Sequence, residues 1–347
     1  MEEDLKTLLQ YREKESKVFM PNEIFDDIKK PFIQMAANKK IEQSNNFIKV
    51  ETVKGIRKKR GQNKDAISKH IAFAYSYYYL ISWLYRNAKY GEINITIEDI
   101  KKVLTYTRKS QEVDYIIKKN GILDEIGYTE TTNDYPIAWE FKDPELEFIF
   151  FSDMDKDIQK MLINQKGRNF KIKIPIKHLH RDSESYKEGI LDGLFYEPHN
   201  FHVVPFEIFL FCMGKKEVGV RGFYLYCYLK RMNEYYGEGY DVSIEKLSKE
   251  IAIPISTLEK DIEAIRCYRM VNCIHNQEYF VPGLEDGERK ANTYITNEYF
   301  AFSDIKLPIK KIQRMNLNDY RIMKQATEEA PNVQQIDDMM WGLSSNM

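Results

Sequence analysis

Arg108-Lys109-Ser110-Gln111 sets two cations, a hydroxyl and an amide side by side. Arg and Lys pair with the O6 and N7 edge of guanine, and Gln pairs with adenine, so this run has the side chains that read bases in a duplex. Lys118 lies further along the same stretch. A second group is Ser256, Thr257 and Lys260. There, hydroxyls and an amine at the start of a helix would face bases or phosphate. Glu259, Asp261 and Glu263 nearby oppose phosphate, so Thr257 and Lys260 are the preferred contacts of this group. Arg289 and Lys290 add charge in a polar loop. Two acid-free runs supply more. Lys54 to Lys64 holds Arg57, Lys58, Lys59 and Arg60 among six cations, and Ile158 to Arg181 holds Arg168, Lys171 and Lys173 among seven. The formal net charge is −1, so clustering rather than overall basicity would attract a polyanion.

Other chemistry is less well supplied. His178-Leu179-His180 has the His–hydrophobe–His form with which rolling-circle nickases hold a metal. Those enzymes also need a downstream Tyr-x-x-Lys. Tyr106 to Lys109 and Tyr115 to Lys118 have that spacing but precede the histidines, and none follows His180. Cys212, Cys227, Cys267 and Cys273 lie in apolar patterns, not in the paired spacing of a zinc site. No phosphate loop and no Gly-x-Ser-x-Gly elbow occurs. The expectation is a binding protein with no catalytic residue, no metal and no cofactor.

Side chains that read bases need a helix to present them. The chain carries suitable pieces twice, from Asn46 to Phe141 and from Asn200 to Phe300. Each copy opens on an Asn-Phe pair (Asn46-Phe47, Asn200-Phe201). A Tyr-rich apolar helix follows (Ala72 to Leu80, Gly222 to Leu229), then a helix started by Thr96 or Ser243. Recurrence marks pieces of one unit, so two domains are expected. In the second copy, Gly237-Glu238-Gly239 ends the first helix and Ala252 to Ile255 makes a tight connector. Ser256 to Glu259 has the form of a capping box, opening a third helix that runs to about Tyr268. Val271 to His275 and Thr293 to Thr296 read as strands around a polar loop. The first copy repeats the plan. Its third helix is expected over Arg108 to Lys119, stopped by Asn120-Gly121, with hairpin strands at Gly127 to Thr132 and Ile137 to Phe141.

This order resembles the winged-helix variant of the helix-turn-helix family, over nearly all of Gly219 to Phe300. The resemblance implies a third helix in the major groove and a wing on the backbone or minor groove. Arg57 to Arg60 would then form a minor-groove arm. Phe170 to Ile176, alternating like a strand, would lie along the backbone between two major-groove contacts. Two such modules in tandem resemble plasmid and phage replication initiators, in which one domain often dimerises and the other reads repeated origin sites. The expected fold class is mainly α with small β-hairpin wings (α+β), as two tandem winged-helix domains. The expected boundaries are an N-terminal helical extension (1–45), domain 1 (46–150), a basic linker (151–198), domain 2 (199–303) and a C-terminal helix and tail (304–347). The expected function is sequence-specific double-stranded DNA binding by an initiator. The alternatives are a transcriptional regulator of a mobile element and a winged-helix protein-interaction scaffold.

No apolar run of about 18 residues spans a membrane, and the charged start Met1-Glu2-Glu3-Asp4 is no signal peptide. With apolar-patterned cysteines, this places the expected protein in the cytoplasm. Tyr75, Tyr77, Tyr78 and Tyr79 are too dense for one helix face, so core is the default for some and a homodimer contact is the sharper reading for others. Ile336 to Leu343, acidic and hydrophobic after a polar spacer, reads in two ways. It is either a docking peptide for a host replication or transcription protein or a helix folding back on its own domain.

Overall fold

The computed structural model describes residues 2–47, 62–142, 145–178, 200–285 and 287–329, which form a mixed α+β protein. Helix α1 (Glu2–Leu9) leads to strand β1 (Lys17–Pro21) and helices α2 (Ile24–Asp27) and α3 (Lys29–Phe47). The long α4 (Gln62–Arg86) is followed by α5 (Lys89–Glu92), α6 (Ile97–Val103), α7 (Asp114–Ile117) and α8 (Ile122–Glu125). Strands β2 (Thr129–Thr132), β3 (Pro136–Lys142) and β4 (Glu145–Phe150), helix α9 (Lys156–Lys166) and strand β5 (Ile172–Pro175) complete the first half. The second half runs β6 (Phe201–Pro205), α10 (Phe206–Gly214), α11 (Gly219–Tyr236), β7 (Tyr240–Val242), α12 (Ile244–Ile251) and α13 (Ile255–Cys267). It ends with β8 (Val271–Ile274), β9 (Tyr279–Phe280) and β10 (Asn292–Thr296). Strand β11 (Gln313–Arg314) and helix α14 (Leu317–Glu329) follow.

Helices α4 and α11 pack on each other at the centre. A central helix is apolar on every side, and here tyrosine serves because its ring fills volume while, at Tyr75, Tyr78 and Tyr79, the hydroxyl finds a buried partner. Tyr75 Oη lies 2.8 Å from His202 Nε2, Tyr78 Oη 2.8 Å from His178 Nδ1, and Tyr79 Oη donates to Val204 O at 2.9 Å. Trp83 stacks on Phe206, with centroids 4.0 Å apart, and donates from Nε1 to Glu15 O. Tyr75, Tyr77, Tyr78 and Tyr79 are all buried within the chain itself. The expectation that some of them face a second subunit is corrected. The apolar residues of both halves form one continuous cluster, so the expected separate domains share a core.

The Asn-Phe pairs do not occupy equivalent places. Phe47 ends a helix, whereas Phe201 opens a strand. The counterpart of β6 is β1. Pro21-Asn22-Glu23-Ile24-Phe25 answers Pro205-Phe206-Glu207-Ile208-Phe209. The two strands pair antiparallel, from Lys17 opposite Pro205 to Pro21 opposite Phe201, about a centre at Phe19 and Val203. The flanking bonds repeat the symmetry: Asn22 N–H donates to Asn200 O at 2.8 Å and Phe206 N–H to Ser16 O at 2.7 Å. Residues 17–27, expected in an extension, therefore stitch the halves together.

The first half also departs from its expected hairpin. Strand β2 pairs antiparallel with β5, from Thr129 opposite Pro175 to Thr132 opposite Ile172. Strand β3 pairs with β4 instead. The β3–β4 hairpin and α9 are thus an insertion between two partnered strands. Strand β3 docks on α5, where any side chain at Gly91 would clash with the Ile137 carbonyl. Residues 151–178, expected as a linker, belong to the body of the first half. In the second half the sheet order is β7-β10-β8, all antiparallel.

Candidate nucleic-acid interface

Helix α13 begins one residue before its expected start. Pro254 (φ −57°, ψ 141°) is the cap, and its carbonyl accepts from Thr257 N–H at 2.9 Å and Leu258 N–H at 2.8 Å. Proline suits this position, because its fixed φ feeds the helix and its missing N–H is no loss there. The capping box expected at Ser256 and Glu259 does not form, and both side chains point to solvent. Leu258, Ile262 and Ile265 face the core as expected. Ala252, in the left-handed region at φ 56°, makes the tight turn from α12. Lys260 is exposed and makes no salt bridge to a described residue.

Thr257 is not free to read bases. Its Oγ1 donates to Asp65 Oδ1 of α4 at 2.9 Å. Arg221 of α11 joins the same cluster. Its guanidinium meets both oxygens of Asp261, at 3.0 and 3.2 Å, and reaches Asp65 at 3.3 Å. Asp261 is buried, and burial pushes its carboxyl up to about 6 although Arg221 opposes the shift. Arg221 therefore fixes α13 to both long helices. Reading the sequence alone missed this residue, because its partners lie 40 and 156 positions away.

Among the described residues, the first half has no long third helix to answer α13. Residues 105–113 form turns, and of the helix expected over Arg108 to Lys119 only the single turn α7 forms; the stop expected at Asn120-Gly121 is kept, with Asn120 left-handed (φ 57°). Local bonds explain the loss. Lys101 is buried and its amine binds Ser110 O at 2.7 Å and the Asp114 carboxylate, which holds the loop open. Arg108 pairs with Asp99 at 2.8 Å. Lys109, Gln111 and Lys118 stay exposed, but on a loop. This loop still approaches the second half, since Thr105 Oγ1 packs beside Gly219 at the start of α11.

Lys173 is the clearest correction among the site residues. It is buried in β5, with Nζ 2.6 Å from each oxygen of Asp124 and 3.1 Å from Lys118 O. Strand β5 pairs with β2, and its Lys173 is spent on the buried Asp124 rather than offered to a DNA backbone. Arg168 and Lys171 are exposed on the same segment. Arg289 and Lys290 are exposed in the β8–β10 loop, and Arg289 Nε donates to Leu284 O at 2.9 Å. Arg57, Lys58, Lys59 and Arg60 lie outside the described residues, as does 336–343. No helix of the described residues is long and apolar enough to cross a membrane. Compared with protein-family models, curated proteins and solved structures, the chain matches none.

Proposed function

We propose that the chain is a sequence-specific double-stranded DNA-binding protein, acting in the cytoplasm as the replication initiator of a plasmid or phage-like element. One observation carries this reading. Residues 219–296 run helix, strand, helix, helix, strand, loop, strand, with the sheet ordered β7-β10-β8. That is the plan of a winged helix, in which α13 reads and the β8–β10 loop is the wing. An α-helix with side chains is about 10–12 Å across and the major groove about 12 Å wide, so the outward face of α13 suits the groove. Ser256 and Lys260 are its contacts, with Lys290 and Arg289 on the wing. The first half follows a modified plan whose insertion replaces the wing and whose third helix is broken. Its part is to brace the reading half, with Lys109 and Gln111 as peripheral contacts.

The test is a footprint of the purified protein on DNA flanking its own gene, at two salt concentrations. The expected result is protection of several spaced direct repeats beside an A·T-rich segment, weakening steeply as salt rises. One promoter-overlapping site would assign the same chemistry to a transcriptional regulator. An absence of protection at low salt would leave a protein-interaction scaffold.

A further inference from the structure

The chain's own residues 303–316 run past the C-terminal end of α13 and reach its outward face at Glu263. They leave the second half at the far end of the helix, where Ser303 N–H donates to Tyr268 O at 2.9 Å. Leu307 N–H then donates to Cys267 O at 2.9 Å, and Lys311 Nζ lies 3.3 Å from Glu263 on the exposed face. From there the segment crosses to the wing. Gln313 and Arg314 pair parallel with Tyr279 and Phe280, and Met315 N–H donates to Phe280 O at 3.0 Å. The path thus joins the outward face of α13, at Glu263, to the β8–β10 loop.

We infer that residues 303–316 are a strap that competes with duplex DNA for α13 and must leave before the helix can enter a groove. The inference rests on the proposed reading of α13. A helix fills the major groove by itself, so an extended chain held against its outward face at Glu263 has no room there. The attachment is light. No residue from 303 to 316 is fully buried, the pairing to the wing is two residues long and parallel, and the Lys311–Glu263 and Lys306–Glu217 contacts are exposed. Segments held by few buried contacts open at low cost. Release also frees charge. Lys306, Lys310, Lys311 and Arg314 outnumber the segment's one acid, Asp304, and Lys311 would exchange Glu263 for phosphate.

Hydrogen exchange of the full-length protein, with and without short duplexes from the flanking DNA at low salt, tests this. On binding, peptides covering Leu307 and Met315 should exchange several-fold faster while those of α13 slow. If the 303–316 peptides slow together with α13, the segment is part of the interface and the strap is overturned. The Leu307→Pro/Met315→Pro variant removes two of the N–H groups that anchor the segment, one at the helix and one at the wing, without changing charge. It should bind DNA roughly five- to tenfold more tightly, as expected when a competing closed state is removed. Equal affinity for wild type and a folded variant whose strap exchanges freely would also overturn the strap, leaving DNA binding intact. Should that variant fail to fold, the wild-type exchange pattern decides. No binding by either protein would overturn the reading of α13 itself.

Discussion

Replacing Lys173 with alanine should destabilise the protein by about 3–5 kcal/mol, the usual cost of leaving one partner of a buried ion pair behind. The ammonium sits between the two oxygens of Asp124 and is only 6 % exposed. Asp124 is committed elsewhere too. It accepts Thr129 Oγ1 at 2.5 Å and Asn120 N–H at 2.9 Å, so it ties β2 and the α7–α8 break to β5. Without the amine, the carboxylate keeps its neighbours but loses its countercharge. Lys171, two residues earlier and exposed, is the control, and Lys171→Ala should change stability by no more than about 0.5 kcal/mol. Urea midpoints at neutral pH measure both. Similar small effects for the two variants would contradict the placement of β5 inside the first half.

The second large effect is of pH. His202 is 1 % exposed at the junction of the halves, between Tyr75 Oη at 2.8 Å and Asn22 Oδ1 at 2.9 Å. Both ring nitrogens are satisfied in the neutral form, with Nδ1 donating to Asn22 and Nε2 accepting from Tyr75. Burial, helped by Arg231, Lys230 and His178, pushes the imidazole from 6.5 down to about 3. The unfolded chain therefore binds a proton that the folded chain refuses between those values. Stability is complete above about 6.5 and falls as pH drops toward 3. At about 1.4 kcal/mol per pH unit, this one group should cost about 2–3 kcal/mol between pH 6.5 and 4.5. His178, bonded to Tyr78 and also pushed down to about 3, adds in the same direction. His202→Gln should lose one proton's worth of slope in a plot of unfolding free energy against pH, whatever its stability at neutral pH. An unchanged slope would show that His202 is not held neutral.

The second half was largely legible because its signals are local. Gly237 caps α11 and Ser243 caps α12 by accepting from Lys246 N–H, and apolar spacing marks the core face of α13. The start of α13 was misread by one residue, since Ser256 and Glu259 offered a capping box while Pro254 already supplied the cap. The first half was less legible because long-range contacts override its local pattern. Arg108 to Lys119 has helical spacing, but the Lys101 amine draws Ser110 and Asp114 together and leaves only the turn at Asp114 to Ile117. The true partner of β2 lies beyond a whole inserted hairpin and helix, and Asn133 to Pro136 imitates a turn between the wrong strands. One missed signal was available. The Pro-x-Glu-Ile-Phe pattern at Pro21 and Pro205 marks the start of both copies better than the Asn-Phe pairs do. Basic residues could be counted along the chain, but only packing separates Lys173, which neutralises a buried acid, from Lys171, which faces water.

The central proposal is that α13 reads DNA, and Lys260 tests it most directly. Fluorescence anisotropy would follow wild type and Lys260→Ala on the footprinted duplex and on a scrambled one, across a salt series. The account expects the variant to lose about 1–3 kcal/mol of binding to the footprinted duplex if Lys260 pairs with a base edge. If Lys260 meets a phosphate, both duplexes should weaken alike and the slope of log affinity against log salt should fall by about 0.9. Wild-type affinity and salt dependence in Lys260→Ala, on both duplexes, would contradict the assignment of α13 as the reading helix.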